Sequence, residues 1–102
     1  MPANSITTRT TSVRRFALGQ TFITPGAEEA LMIAGQTAIE FFRRHMSCDF
    51  GELSDNDLRE NEFALSEGFR LLSNYRTGTG QQLWIITEAD RSATTILLPS
   101  EY

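Results

Sequence analysis

The chain has a single cysteine, Cys48, and a single histidine, His45. One cysteine excludes an intrachain disulfide and suits a reducing compartment, so a cytoplasmic location is expected. His45 and Cys48 stand three apart and could face one ion from a helix, but a zinc site needs about four ligands. No metal and no cofactor are therefore expected, and a Ser–His–Asp triad could be built only around His45. Long apolar runs are also missing. None approaches the ~20 residues that cross a bilayer, and the N-terminal residues hold no apolar leader, so neither a membrane span nor a secretory signal is expected.

Two apparent motifs fail on inspection. Asp55-Asn56-Asp57 starts like a calcium loop, but Arg59 takes the fifth position and Glu60 stands where the loop requires glycine. Gly78 and Gly80 lie between two strand-like segments, so they cannot open a helix as a phosphate loop does.

What is present is charge, unevenly placed. The net charge is −4 over 102 residues. The opening MPANSITTRTTSVRR contributes +3 through Arg9, Arg14 and Arg15, which leaves −7 for the rest. Asp49, Glu52, Asp55, Asp57, Glu60, Glu62 and Glu67 crowd one segment with only Arg59 against them. Such a segment repels phosphate backbones, so direct nucleic-acid binding by the folded body is not expected. Residues 1–15, rich in Ser, Thr and Arg without apolar periodicity, read as a disordered basic tail. Residues 16–102 read as a single domain.

Within that domain FALGQTFITPG (16–26) alternates as a first strand, weakened by Gly19. Thr24-Pro25 opens a short helix that Gly35 closes. Thr37 and Glu40 are spaced as a capping box for AIEFFRRHMSC, with Ile39, Phe42 and Met46 on one face. Ser54 caps DNDLRENEFALSE, whose inward stripe is Leu58, Asn61 and Leu65 with Ala64 at its margin. Phe63 points elsewhere, toward Arg59, Glu60 and Glu67. After Gly68 the period becomes two. FRLLSNYR, QQLWIITE and TTILLP are expected to form an antiparallel meander, joined at Thr77–Gly80 and at ADRSA. The expected class is α+β, with the helices over one sheet face. Leu72 and Leu97 would give the other face an apolar patch that a homodimer could cover.

Glu88, Asp90 and Arg91 stand between the last two strands. An acid/base pair with an anion clamp would need such groups, but Asp and Ser are also turn residues, and a turn with Arg91 pairing nearby carboxylates is the preferred reading.

The phrases TPGA, EFFRRH, DFGEL, NEFAL, GFR and LWIITEADRSATTILLPSEY resemble a set of small bacterial proteins encoded on plasmids, prophages and integrative elements. Some of these are labelled type I restriction subunits. The resemblance spans about residues 16–102, with Phe50 where relatives often carry Trp and Thr37-Ala38 where they often carry Ser-Pro. It implies a mobile-element setting and brings no catalytic residues. The expected function is a non-enzymatic host-defence antagonist of anti-restriction or anti-CRISPR type. It would bind a host protein, such as a defence nuclease or its nucleic-acid-binding subunit. Its contacts are expected at Asp57, Glu60, Phe63 and Glu67, with Glu88, Asp90 and Arg91 as a further epitope. The alternatives are a toxin-like or RNA-acting enzyme using Arg70, Arg76, Glu88 and Arg91, and a homodimeric structural accessory protein.

Overall fold

The computed structural model describes residues 15–102. The expected disordered tail lies outside the described residues except for Arg15, whose N–H donates to the Met46 carbonyl at 2.7 Å. The elements are β1 (Gln20–Ile23), α1 (Pro25–Ala34), α2 (Ala38–Met46), α3 (Asp55–Glu67), β2 (Leu71–Arg76), β3 (Gln82–Thr87), β4 (Ala93–Leu97) and a 3-10 turn at Pro99–Glu101. This is the expected α+β order, and the last three strands form the antiparallel meander. β1 adds a fourth strand, parallel to β4, so the sheet runs β1-β4-β3-β2.

β1 is shorter than the alternation of 16–26 suggests. Gly19 sits at its entry with φ 68°, and a Cβ there would collide with the Arg91 and Ser92 carbonyls. The chain can pass the β3–β4 turn that closely only without a side chain.

The helix starts follow the capping signals in part. Thr24 accepts from the Ala27 N–H at 3.3 Å, and Ser54 from the Asp57 N–H at 3.1 Å. Glu101 adds a second cap to α1. Its carboxylate accepts from the Thr24 hydroxyl at 2.5 Å and from the Gly26 N–H at 2.9 Å. These bonds hold Glu101 below the usual carboxylate range. The capping box expected at Thr37 does not form. Thr37 makes no side-chain cap, and Glu40 instead accepts from Gln36 Nε2 at 2.9 Å.

The buried face of α2 also differs from the expected one. Phe41, Phe42 and His45 face inward, whereas Ile39 is exposed. Spacing explains the change. Ala38, Phe41, Phe42 and His45 form a full i, i+3, i+4, i+7 stripe once the histidine is admitted to it. The core joins Ala27, Ala30, Leu31, Phe41 and Phe42 to Tyr75, Leu83, Ile85 and Ile96. The opposite sheet face carries the row Leu72, Ile86, Thr95, Phe22 in register across all four strands.

β2 is an edge strand, and its outer edge is covered twice. The Asn61 side-chain amide donates to the Leu72 carbonyl at 2.7 Å and accepts from the Leu72 N–H at 3.1 Å, as a neighbouring strand would. Two residues further on, the Asn74 N–H donates to the Phe50 carbonyl and the Asn74 carbonyl accepts from the Glu52 N–H. Gly51, between them with φ 76°, lets that segment lie against Asn74 and the Tyr75 ring. Asn61→Leu keeps the size but strands a donor and an acceptor in a position 5% exposed. It is expected to cost about 2–3 kcal/mol in urea unfolding, and a loss below about 0.5 kcal/mol would remove the edge-pairing role.

Candidate functional site

Two polar constellations stand out, one inside and one outside. The inner one centres on His45, which has no exposed surface. Nδ1 lies 2.6 Å from Ser73 Oγ and Nε2 lies 2.8 Å from Thr87 Oγ1. Thr87 is 2.7 Å from Thr94, which donates to the Leu18 carbonyl at 2.7 Å. On the other side the Tyr75 hydroxyl donates to the Asp49 carbonyl at 2.5 Å and approaches Ser73 Oγ at 3.1 Å.

The proton count orients this row. Both ends are carbonyl oxygens, which only accept. Four hydroxyls and one neutral imidazole N–H supply five protons for six contacts, so one contact has none. That contact is the longest, Tyr75–Ser73 at 3.1 Å. The proton of His45 then sits on Nε2, and Ser73 donates to Nδ1. Burial pushes the ring down to about 3, with the charge of Arg91 adding to the effect. Ser73 and His45 are in hydrogen-bond contact, but Ser73 is itself fully buried, so the pair is a structural seam between α2 and the sheet.

The outer constellation lies on α3 and the corner that follows it. α3 carries five acids and one arginine. Glu60, Phe63 and Glu67 are exposed, whereas Asp57 is half-buried one turn before Asn61 and beside Leu72, which corrects its expected place on the outer side. Phe63, 58% exposed, stacks on Phe69 with ring centroids 5.7 Å apart and planes 15° apart. Sequence reading missed Phe69, although the signal was there. Gly68 is left-handed, and the Phe69 N–H returns to the Ala64 carbonyl at 3.1 Å. A helix stop of that kind brings the residue after the glycine against the last turn but one. Glu60, Phe63 and Phe69 line a hollow of about 410 Å³ with Arg59 and Arg70. Arg70 is shared with a groove of about 280 Å³ on the outer sheet face, lined by Leu72, Trp84, Ile86 and Tyr102.

The remaining expected residues divide. Glu88 pairs with Arg70 at 3.4 Å, about half exposed on each side. Asp90 is an exposed turn residue that accepts from the Ser92 N–H at 3.0 Å. Arg91 corrects the expectation of surface pairing with these carboxylates. Its guanidinium donates to the backbone carbonyls of Ala64, Phe69, Glu88 and Ala89 at 2.7–3.1 Å. The positive φ of Arg91, 62°, accompanies a side chain turned back across the end of α3, where several converging carbonyls attract a cation more strongly than one solvated carboxylate does. The residues of the alternative sheet site do not assemble. Arg76 pairs with Glu52 at 3.2 Å at the far end of β2 from Arg70 and Glu88.

No group of three or more His, Cys, Asp or Glu among the described residues is arranged to hold a metal ion, and no described helix is long and apolar enough to cross a membrane. The chain matches no family model, no curated protein and no solved structure.

Two outcomes follow from these geometries. The folded His45 ring binds its proton only near pH 3, while an unfolded ring binds it near 6.5. The unfolded state therefore takes up the proton first as pH falls. Stability is complete above about pH 6.5 and drops below it by up to about 1.4 kcal/mol per pH unit. Between about pH 6.5 and 5 the depressed carboxylates Asp49, Asp90 and Glu101 do not yet contribute. Urea unfolding across that window is expected to slope in the wild type and to lie flat in His45→Gln. Arg91→Ala is expected to lose roughly 2–3 kcal/mol, against under about 1 kcal/mol for Glu88→Gln. Equal losses would return Arg91 to the surface pairing first expected.

Proposed function

We propose that the protein is a non-enzymatic host-defence antagonist that binds a host protein through the outer face of α3. The observation that carries this reading is the exposed Phe63–Phe69 stack, with Glu60 in the same hollow and Glu67 one turn on from Phe63. Large aromatics in the open, rimmed by charged side chains, have the composition of a binding hot spot with a polar rim. Five carboxylates on one helix favour a basic partner surface and steer it into contact. A nucleic-acid channel of a restriction or CRISPR-type nuclease, or of its nucleic-acid-binding subunit, is such a surface. The mobile-element resemblance supplies that choice of partner. Burial of His45 and Ser73, and the use of Arg91 on backbone carbonyls, support a role in recognition over one in chemistry.

Phe63 also has a structural duty, because its contact with Phe69 closes α3. Half of each ring is nevertheless left in water (58% and 54% exposed), and the stop itself needs only the glycine and the returning N–H.

Cells whose restriction or CRISPR-type nuclease destroys incoming plasmid provide the test. Expression of the protein is expected to raise transformation by about tenfold or more, as competition for the basic nucleic-acid channel of a defence nuclease would. Reversing Asp57, Glu60 and Glu67 to Arg together should return it to the baseline, and reversing the exposed Glu60 and Glu67 alone should lower protection with the melting temperature little changed. Glu88→Gln should keep full protection. A triple variant that protects as well as the wild type would refute the α3 face as the contact.

A further inference from the structure

We infer that the outer edge of β1 pairs with β1 of a second copy of this chain, antiparallel, about a two-fold axis at Phe22. The two edges of the sheet are treated in opposite ways. On β2 the Leu72 and Asn74 backbone groups are all engaged, by Asn61 and by Phe50–Glu52. On β1 the Gln20 and Thr24 N–H groups donate inward, to the Ser92 and Ile96 carbonyls. The two-residue period of a strand then turns the N–H and C=O groups of Thr21 and Ile23 outward. No described residue bonds to them, and all four residues of β1 are exposed.

An open edge is a template for another strand, and natural proteins blunt it with charge, proline, a bulge or a cover. Gln-Thr-Phe-Ile carries no charge, proline or bulge, and no described residue covers it. Phe22 and Ile23 add 49% and 42% exposed apolar side chains. An aromatic side chain at an uncapped edge is the opposite of protection.

Self-complementarity favours a second copy as the occupant. Pairing Thr21 with Ile23 of the partner subunit uses all the outward groups in two reciprocal hydrogen-bonded pairs. Phe22 then faces the same residue of its partner at the close, non-hydrogen-bonded position. No charge of either sign lies in the paired segment, so like-charge repulsion is avoided at the contact itself. The outer-face row Leu72, Ile86, Thr95, Phe22 would continue across the axis into its symmetric copy, giving an eight-stranded sheet. A four-residue strand pair buries little area, which makes this a weak and concentration-dependent dimer. The acidic face of α3 lies beside the other edge of the sheet, so the dimer leaves it open and stands apart from the proposed function.

Sedimentation velocity and hydrogen exchange on the full chain test the pairing together. Over about a hundredfold range of concentration the mean mass is expected to rise toward twice the monomer value. The Thr21 and Ile23 amides should slow in step with that rise, by a factor tracking the dimer fraction. Thr21→Lys and Phe22→Lys, each made alone, should hold the protein monomeric, since both positions are exposed and lie outside the core. A monomer at every concentration would overturn the inference, as would a dimer that both lysine variants leave intact. So would protection of the two amides that does not change with concentration, because that would assign the edge to the chain's own leading residues. The exchange measurement needs no variant, so a misfolded mutant does not blunt the test.

Discussion

Backbone polar groups that the secondary structure leaves over set the arrangement of this protein. A small sheet has two edges, and three helices have six ends. Here side chains from other elements supply several of the missing partners. Asn61 stands in for a strand at Leu72, Glu101 caps α1 from the other end of the chain, and Arg91 gathers carbonyls at the end of α3 and beyond it. Each links one element to another, so these contacts are also tertiary contacts. α3 in particular meets the sheet mainly along β2. The Asn61 amide and the Arg91 guanidinium therefore fix both its position and its axial register.

That constraint explains what was legible beforehand. The element order and the meander follow from periodicity and glycine stops, which are local, whereas the inward stripe of α3 shifts from the expected Leu58, Asn61 and Leu65 to Asn61 and Ala64, with Leu58 exposed. Gly35 and Gly68 end their helices in the left-handed conformation, as their positions suggest. The parallel pairing of β1 with β4 was not legible, since a four-residue strand has no local feature that selects its neighbour. Glu40 and Arg91 were misassigned for one shared reason. Both were paired with a sequence neighbour, Thr37 and Glu88 or Asp90, whereas Glu40 bonds to Gln36 one turn back and Arg91 to backbone carbonyls. For Arg91 those partners are the Ala64 and Phe69 carbonyls, more than twenty residues away.

His45 shows the same limit from the other direction. A lone histidine near a helix end reads as a surface residue, and only the full stripe from Ala38 to His45 places it inside. The stripe also forces the sheet to answer with hydroxyls. Ser73, Thr87 and Thr94 sit on the core-facing side of three successive strands, where apolar residues would otherwise stand. In the sequence these hydroxyls are ordinary strand residues. As neighbours of an imidazole they form a row ending in two carbonyls, with the polarity set by the proton count together with the one long contact, Tyr75–Ser73.

The inner row and the outer surface divide the side-chain chemistry between them. A serine hydrogen-bonded to a histidine is half of a familiar nucleophilic device, yet such a device works only where a substrate can reach it. Here both members lie under α2 with no exposed area, and the third position is a threonine with no charge to stabilise an imidazolium. Three of the arginines with the right charge for anion work, Arg44, Arg70 and Arg76, are held by Asp49, Glu88 and Glu52, and Arg91 by carbonyls. Carboxylates along α3, stacked phenylalanines at its end and an aromatic groove beyond Arg70 stay open to solvent, with Arg59 among them. The phenylalanine stack is the part of that surface that the fold leaves half in water.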